Sequence, residues 1–145
     1  MVTITPFLWF DGRLEEAVEF YTSVFPGGRV ERVSPMAATF EIAGQRFQAL
    51  NGGPMYRFNE GVSFFVACVS QSEVDGYWAR LTADGGAEGR CGWLKDRFGL
   101  SWQIVPEALG RLMSDPDPAR AGRVRTAMMT MTKIDIAALE RAWRG

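Results

Sequence analysis

The sequence predicts an α+β protein in which one β-α-β-β-β unit is used twice and is followed by a helical extension. Two pairs of matching features carry this prediction. Phe20-Tyr21 is matched by Tyr77-Trp78 57 residues later, and Gly27-Gly28 is matched by Gly85-Gly86 58 residues later. A nearly constant offset of this size indicates a repeated supersecondary unit. After residue 106 the strand pattern gives way to helical periodicity.

The first unit, residues 1–54, begins with a strand predicted over Ile4–Phe10, and Asp11 is placed to cap the next helix. The buried face of that helix consists of apolar residues at helical spacing: Leu14, Ala17, Val18, Tyr21, Val24 and Phe25. Three strands then follow, over Arg29–Ser34, Ala38–Ile42 and Arg46–Asn51. Gly52-Gly53-Pro54 ends the unit because this tripeptide continues neither a strand nor a helix.

The second unit, residues 55–106, has a strand predicted over Val62–Val69 and a helix that Ser72 can cap. Its last two strands lie in the segment CGWLKDRFGLSWQIVP, residues 91–106, around a turn at Asp96-Arg97-Phe98-Gly99. After the turn, side chains alternate between two faces, and Gln103 lies in an otherwise apolar strand. An inward glutamine needs a partner, a ligand or water, so its surroundings are the functional question.

Residues 107–145 form the helical extension, with a short helix over Glu107–Met113 and a second helix that begins at Asp117-Pro118. Asp135 can cap a last helix that continues through Trp143. The middle helix carries a stripe of small and sulfur-containing residues: Ala121, Val124, Met128 and Met131. Such a stripe forms either a ligand wall or packing in a core or subunit interface.

Composition excludes several classes of function. The 145 residues carry a net charge of −1. The extension has seven Lys/Arg against five Asp/Glu, and this small positive excess is too weak to form a nucleic-acid-binding patch. No apolar run is long enough for a membrane span, and residues 1–10 lack the pattern of a signal peptide. We therefore expect a cytoplasmic protein in which Cys68 and Cys91 are reduced thiols.

The absence of histidine excludes further chemistry. A Ser–His or Cys–His nucleophile cannot be built, and two cysteines supply at most half of a structural zinc site. A methyl-donor nucleotide site of the usual kind needs a Gly-rich turn between a strand and a helix. Gly52-Gly53-Pro54 leads into a loop, and Gly85-Gly86 ends a helix, so the sequence does not predict a methyltransferase.

The doubled unit closing on DRFG-x-x-W-Q resembles the vicinal-oxygen-chelate superfamily, which includes glyoxalase I, bleomycin-resistance proteins and extradiol dioxygenases. Within it, the chain is similar to the PhnB-like branch, which is labelled demethylubiquinone 3-methyltransferase-like. The resemblance covers nearly the whole chain, and its motifs are ITPFLWFDGRLEEAVEFY (4–21), FEIAGQRFQALNGGP (40–54), FNEGVSFFV (58–66), CGWLKDRFGLSWQIVP (91–106), DPDPARAGRV and KIDIAAL.

The resemblance implies a curled mixed or antiparallel sheet around a cleft, a homodimer, and a divalent metal held by one side chain from each of four strands, usually His or Glu. Gln103, Gln48 and Ser63 would occupy three of those ligand positions, and the fourth would fall near Thr5 or Pro6. These neutral groups predict a cleft without a metal or other cofactor, although a weakly bound divalent cation stays open.

Three hypotheses of function follow. The first is a metal-free protein that binds a small molecule through Thr5, Gln48, Ser63 and Gln103, with Trp93 as an aromatic wall. The second is a metal-dependent lyase or dioxygenase with an atypical weak metal site. The third is a structural or regulatory homodimer in which the glutamines only satisfy other polar groups.

Overall fold

The computed structural model describes residues 1–145 and divides the chain into two compact units, Met1–Phe58 and Asn59–Gly145. The first unit consists of β1 (Phe7–Phe10), α1 (Leu14–Val24), β2 (Arg29–Val33), β3 (Ala37–Ile42) and β4 (Gln45–Asn51). The second consists of β5 (Ser63–Cys68), α2 (Gln71–Thr82), β6 (Ala87–Glu88), β7 (Trp93–Lys95), β8 (Ser101–Pro106), α3 (Glu107–Met113), α4 (Pro118–Met129) and α5 (Ile136–Arg144).

The two units repeat one sheet topology, which confirms the predicted α+β class and the doubled β-α-β-β-β unit. The strand order is β1-β4-β3-β2 in the first sheet and β5-β8-β7-β6 in the second. In each sheet the first strand of the unit pairs in parallel with the last, and the other pairs are antiparallel. The first strand begins at Phe7, so the prediction that it starts at Ile4 was wrong by three residues.

The repeated glycine pairs end the two helices for the same physical reason. Gly27 and Gly85 have φ of +67° and +106°, a backbone region that favours glycine. A Cβ at Gly28 would lie 1.9 Å from a backbone oxygen of α1, and one at Gly86 would lie 2.6 Å from a backbone oxygen of α2. Each pair therefore combines a left-handed turn with close approach to the preceding helix, which explains the motif at a constant offset.

The expected cap of α1 was wrong. Asp11 lies outside the helix, because Gly12 turns the chain at φ +76° and Arg13 occupies the N-cap without a side-chain cap. The first helical amide, at Leu14, instead donates to Oδ1 of Asn51 at 3.1 Å. A side chain at the end of β4 thus satisfies the start of α1.

The expected cap of α2 was also wrong, since Ser70 rather than Ser72 caps that helix. Ser70 Oγ accepts from the Glu73 amide at 3.2 Å, and the Glu73 carboxylate accepts from the Val69 amide at 2.8 Å. This arrangement resembles a capping box, except that the carboxylate accepts from the amide of Val69, one residue before the N-cap. It starts two residues earlier than the sequence analysis placed the cap.

Each helix covers one face of its own sheet. In the first unit, the rings of Tyr21, Phe40 and Phe47 stack in succession, with centroid distances of 6.2 and 5.3 Å. In the second unit, Trp78 of α2 is buried and donates from Nε1 to the Glu88 carboxylate at 2.8 Å. Because strand side chains alternate, residues between the buried positions lie on the opposite face of each sheet.

The extension is fixed to the second unit by backbone and side-chain hydrogen bonds. The amides of Cys91 and Gly92 donate to the carbonyls of Met131 and Thr132, both at 2.8 Å. The Gln71 side chain donates to the Ile134 carbonyl at 3.0 Å and accepts from the first amide of α5 at 2.8 Å. An apolar cluster joins β8 to the three last helices: Val105, Leu109, Leu112, Val124, Ile134 and Leu139.

No helix of the protein combines the length and the hydropathy that crossing a bilayer requires.

Replacing Gly92 by alanine should destabilise the fold strongly. Gly92 has φ +85°, and a Cβ there would lie 2.9 Å from the Ile104 carbonyl oxygen and 3.2 Å from Ile134 Cγ1. Backbone strain and overpacking together predict a loss of about 2–5 kcal/mol in the free energy of unfolding. Gly99→Ala is the matched control, because Gly99 has φ +86° and no atom within 4 Å of the added Cβ. That control should lose only about 1–2 kcal/mol. Equal losses in urea denaturation would show that the contact with Ile104 and Ile134 is unimportant.

Candidate functional site

Gln48 and Gln103 occupy equivalent positions in the two sheets. Gln48 lies on β4 opposite Phe7 of the parallel strand β1, and Gln103 lies on β8 opposite Phe65 of β5. Phe7 and Phe65 are both exposed, at 56% and 61%. Each unit therefore presents an amide beside an uncovered aromatic ring on the face that its own helix leaves open.

Counting back from the paired residues Phe7 and Phe65 aligns Thr5, which lies just before β1, with Ser63. Ser63 precedes Phe65 by two residues, and Thr5 precedes Phe7 by two residues. Thr5, rather than Pro6, is therefore the topological equivalent of Ser63. Pro6 has a backbone role, since its carbonyl accepts from the Gln48 amide at 3.0 Å.

The structure brings three of the candidate residues together in the second unit. Gln103 Nε2 donates to Ser63 Oγ at 3.0 Å, and Gln103 lies opposite Trp93 of β7 in the antiparallel pair. All three residues are half-buried. Thr5 and Gln48 belong to the first unit, where no side-chain hydrogen bond joins them. The predicted inward glutamine thus has a partner for its amide nitrogen.

Gln103 and Trp93 line a groove of about 640 Å³, here called the sheet–helix groove. Its floor is the open face of the second sheet: Phe65, Ala67, Cys91, Trp93, Gln103, Val105 and Pro106. Its other wall comes from the helical extension: Glu107, Leu109, Gly110, Met113 and Ser114 of the α3 segment, with Met128 of α4.

The helical wall of this groove is what sequence reasoning missed. The methionine stripe was noted as either a ligand wall or core packing, and Met128 does both, because it lines the groove and packs against the apolar cluster. Met131 packs against that cluster without lining the groove. The spacing of Glu107, Gly110 and Met113 on one face of α3 was the available signal.

The turn before β8 is built on a buried carboxylate. Asp96 is 2% exposed, and its Oδ1 accepts from the amides of Phe98 and Leu100 at 2.9 and 3.1 Å. Its Oδ2 accepts from Trp102 Nε1 at 2.9 Å, and the Trp102 ring packs 5.5 Å from that of Phe64. Asp96 is therefore the predicted turn former, and Trp102 belongs to the core rather than the groove.

The NGGP motif also serves the fold. The indole of Trp9 donates to the Gly53 carbonyl at 2.9 Å and meets the Tyr56 ring edge-on at 4.9 Å. A Cβ at Gly52 would lie 2.2 Å from the Trp9 ring, so only glycine lets the loop close over the indole. Gly52 and Gly53 thus enclose a tryptophan and do not begin a helix.

The two cysteines differ in their surroundings. Cys91 is half-buried in the groove, at a backbone φ of +57°. Cys68 is fully buried, and burial raises the pKa of its thiol to about 11, with a smaller contribution from the nearby Glu73 carboxylate. Both thiols are free, as the sequence predicted.

The polar groups on the open face of the second sheet do not fit a catalytic metal. They are the amide of Gln103, the hydroxyl of Ser63 and the buried, unpartnered hydroxyl of Ser101, together with the Lys95 ammonium, which pairs with Glu60. No group of three or more His, Cys, Asp or Glu is arranged to hold a metal ion. Neutral oxygens beside a cation are a poor ligand set for a transition metal.

Comparisons with known proteins agree on one fold. The PhnB protein from Bacillus cereus is 29% identical, with a TM-score of 0.64 over 72% of this chain and 99% of that one. A glyoxalase-related enzyme from Fulvimarina pelagi is 18% identical, with a TM-score of 0.56 over 75% and 91%. The fosfomycin resistance protein FosX from Listeria monocytogenes, solved with Mn(II) and sulfate, is 16% identical, with a TM-score of 0.53 over 70% and 87%.

The remaining comparisons define the family. No curated protein matches the sequence. The family model described as 3-demethylubiquinone-9 3-methyltransferase matches residues 2–105, which include both sheets and leave out the helical extension. The chain therefore belongs to this PhnB-like family, and it shares its fold with the glyoxalase-related enzyme and the fosfomycin resistance protein.

Proposed function

We propose that this protein binds a small molecule in the sheet–helix groove, without a catalytic metal. The observation that carries the proposal is the groove itself, about 640 Å³ of mostly apolar surface with one half-buried amide, Gln103. Ligand sites are typically about 300–1,000 Å³ and combine apolar walls with a few polar groups that fix orientation. Thr5 and Gln48 belong to the first unit and do not line this groove, and their role in binding stays a prediction.

The carboxylates outside the groove offer no acid–base pair for catalysis. Glu41 pairs with Arg29 at 2.8 Å. Glu60 pairs with Lys95, whose hydrogen bond lowers the pKa of the Glu60 carboxyl. The lowered pKa keeps Glu60 a carboxylate at neutral pH, so it is a poor general acid there. The amide and hydroxyls on the open face of the second sheet favour binding over the alternative of a metal-dependent lyase or dioxygenase.

The chemistry in the family's description also finds no support in the groove. A methyl-donor nucleotide needs a Gly-rich turn leading from a strand into a helix. Here Gly52-Gly53 encloses Trp9, and Gly85-Gly86 ends α2. Assembly as a homodimer and a location in the cytoplasm stay predictions. The alternative that Gln103 has a structural role is favoured by its hydrogen bond to Ser63.

Filling the groove should abolish ligand binding. Gly110 lines the groove on α3 and has no atom within 4 Å of an added Cβ, so Gly110→Leu can fold while occupying the space. Gly76→Leu is the matched control, because Gly76 lies on α2, outside the groove, and is equally open. In a thermal-shift screen of small apolar compounds, we expect hits that raise the Tm of the wild type and of Gly76→Leu. A ligand present at a hundred times its Kd raises the free energy of unfolding by about 2.7 kcal/mol. A hit that stabilises Gly110→Leu equally would place the ligand elsewhere, and a screen without hits would contradict the proposal.

Replacing Gln103 by leucine should separate its binding role from its structural role. The substitution removes the hydrogen bond to Ser63, so we expect a loss of about 0.5–1.5 kcal/mol in the free energy of unfolding, together with loss of the hits. Gln48→Leu is the control, since Gln48 is half-buried at the equivalent position without a side-chain hydrogen bond. Its stability should change by less than about 0.5 kcal/mol. If Gln103→Leu loses stability but keeps every hit, its role is purely structural.

Alkylation should distinguish the two thiols. At pH 8 we expect iodoacetamide to modify Cys91 alone. With its pKa raised to about 11, Cys68 is only about 0.1% thiolate at that pH, and it is also buried. A hit from the screen should slow alkylation of Cys91, because that thiol lines the groove. Mass spectrometry of the native protein and of Cys91→Ser measures both effects. Equal rates at the two cysteines would show that Cys68 is not shielded.

A further inference from the structure

The lining of the sheet–helix groove carries a charge pattern that indicates what kind of molecule it takes. Glu107, exposed at the start of α3, is the one charged side chain in the lining. The basic residues of the extension lie elsewhere. Arg111 and Arg123 line two separate surface depressions, Lys133 pairs with Asp75 at 2.8 Å, and the Arg120 guanidinium lies 4.4 Å from the centre of the Trp143 ring. Among the lining residues, an anionic ligand would therefore meet a carboxylate and no cation.

The lining carries two side-chain acceptors for a ligand. Gln103 donates one of its two Nε2 hydrogens to Ser63, and its Oε1 is an acceptor. Glu107 adds a carboxylate, which only accepts. The Ser114 hydroxyl already donates to the Gly110 carbonyl at 2.7 Å. A ligand that carries donors can therefore pair with both acceptors.

The apolar walls favour flat rings. Phe65 and Trp93 line the sheet side, and Met113 and Met128 line the helical side. Aromatic faces pack against rings and attract cations, while thioethers adapt to the shape of an aromatic ligand. The volume of about 640 Å³ suits a molecule of drug size rather than a folded partner.

We propose that the groove binds an amine with an aromatic ring: a flat ring system that packs against Trp93 and the methionines and carries, on an alkyl carbon, a protonated amino group. The ammonium donates to Glu107 and to Gln103 Oε1. This inference rests on the proposed small-molecule function. Glu107, Met113 and Met128 all lie beyond residue 105, outside the part of the chain that the family model matches. The preference is therefore set by the extension.

Three naphthalene probes of nearly equal shape test this proposal: 2-naphthylmethylamine, 2-naphthylmethanol and 2-naphthoate. Isothermal titration at pH 7 should show the amine binding about threefold to fivefold more tightly than the alcohol, the advantage of an exposed ion pair. The naphthoate should bind more weakly than the alcohol, since its carboxylate faces Glu107. Glu107→Gln should reduce the advantage of the amine over the alcohol to less than twofold.

Glu15→Gln is the matched control, because Glu15 lies in the first turn of α1, as Glu107 lies in the first turn of α3, and is outside the groove. This variant should keep the full advantage of the amine. Tighter binding of the naphthoate, equal binding of amine and alcohol, or the same advantage in Glu107→Gln would overturn the proposal of an amine ligand and leave the small-molecule function standing. Absence of binding by all three probes would contradict the proposed function itself.

Discussion

The parallel pairing of β5 with β8 is the constraint on which the arrangement of the second unit depends. It aligns Phe64 with Trp102 and Phe65 with Gln103. Because successive side chains alternate, the first pair belongs to the core and the second to the open face. A register shift of one residue would bury the amide and expose the indole, so the Asp96 carboxylate that binds Trp102 Nε1 also fixes the position of Gln103.

Much of the fold followed from sequence because its signals are local. Gly27-Gly28 and Gly85-Gly86 marked the ends of α1 and α2 through a backbone requirement that only glycine meets, and the Asp96 turn formed as predicted. The cap of α1 could not be found in this way. Its hydrogen bond comes from Asn51, 37 residues away along the chain, and no local pattern encodes such a partner.

Only the sheet side of the candidate site could be predicted from the sequence in this way. Gln103, Ser63 and Trp93 are set by alternation and strand order, and the structure places them together. The opposing wall depends on how the extension packs after the chain leaves β8, which is fixed by hydrogen bonds of Cys91 and Gly92 to residues 131 and 132. Helical periodicity identifies the faces of α3 and α4, but it does not say which sheet surface they meet.

The two walls of the groove come from different parts of the chain and carry different side chains. The sheet side lies largely within residues 2–105, and there Gln103 and Ser63 contribute a neutral amide and a hydroxyl. The helical side lies beyond residue 105 and adds the single carboxylate and both methionines. A sheet that offers only hydrogen-bonding groups and rings recognises shape, while one charge on the added wall can select among ligands of that shape. Selectivity in this protein would then evolve through α3 and α4 without disturbing the strand register on which the fold depends.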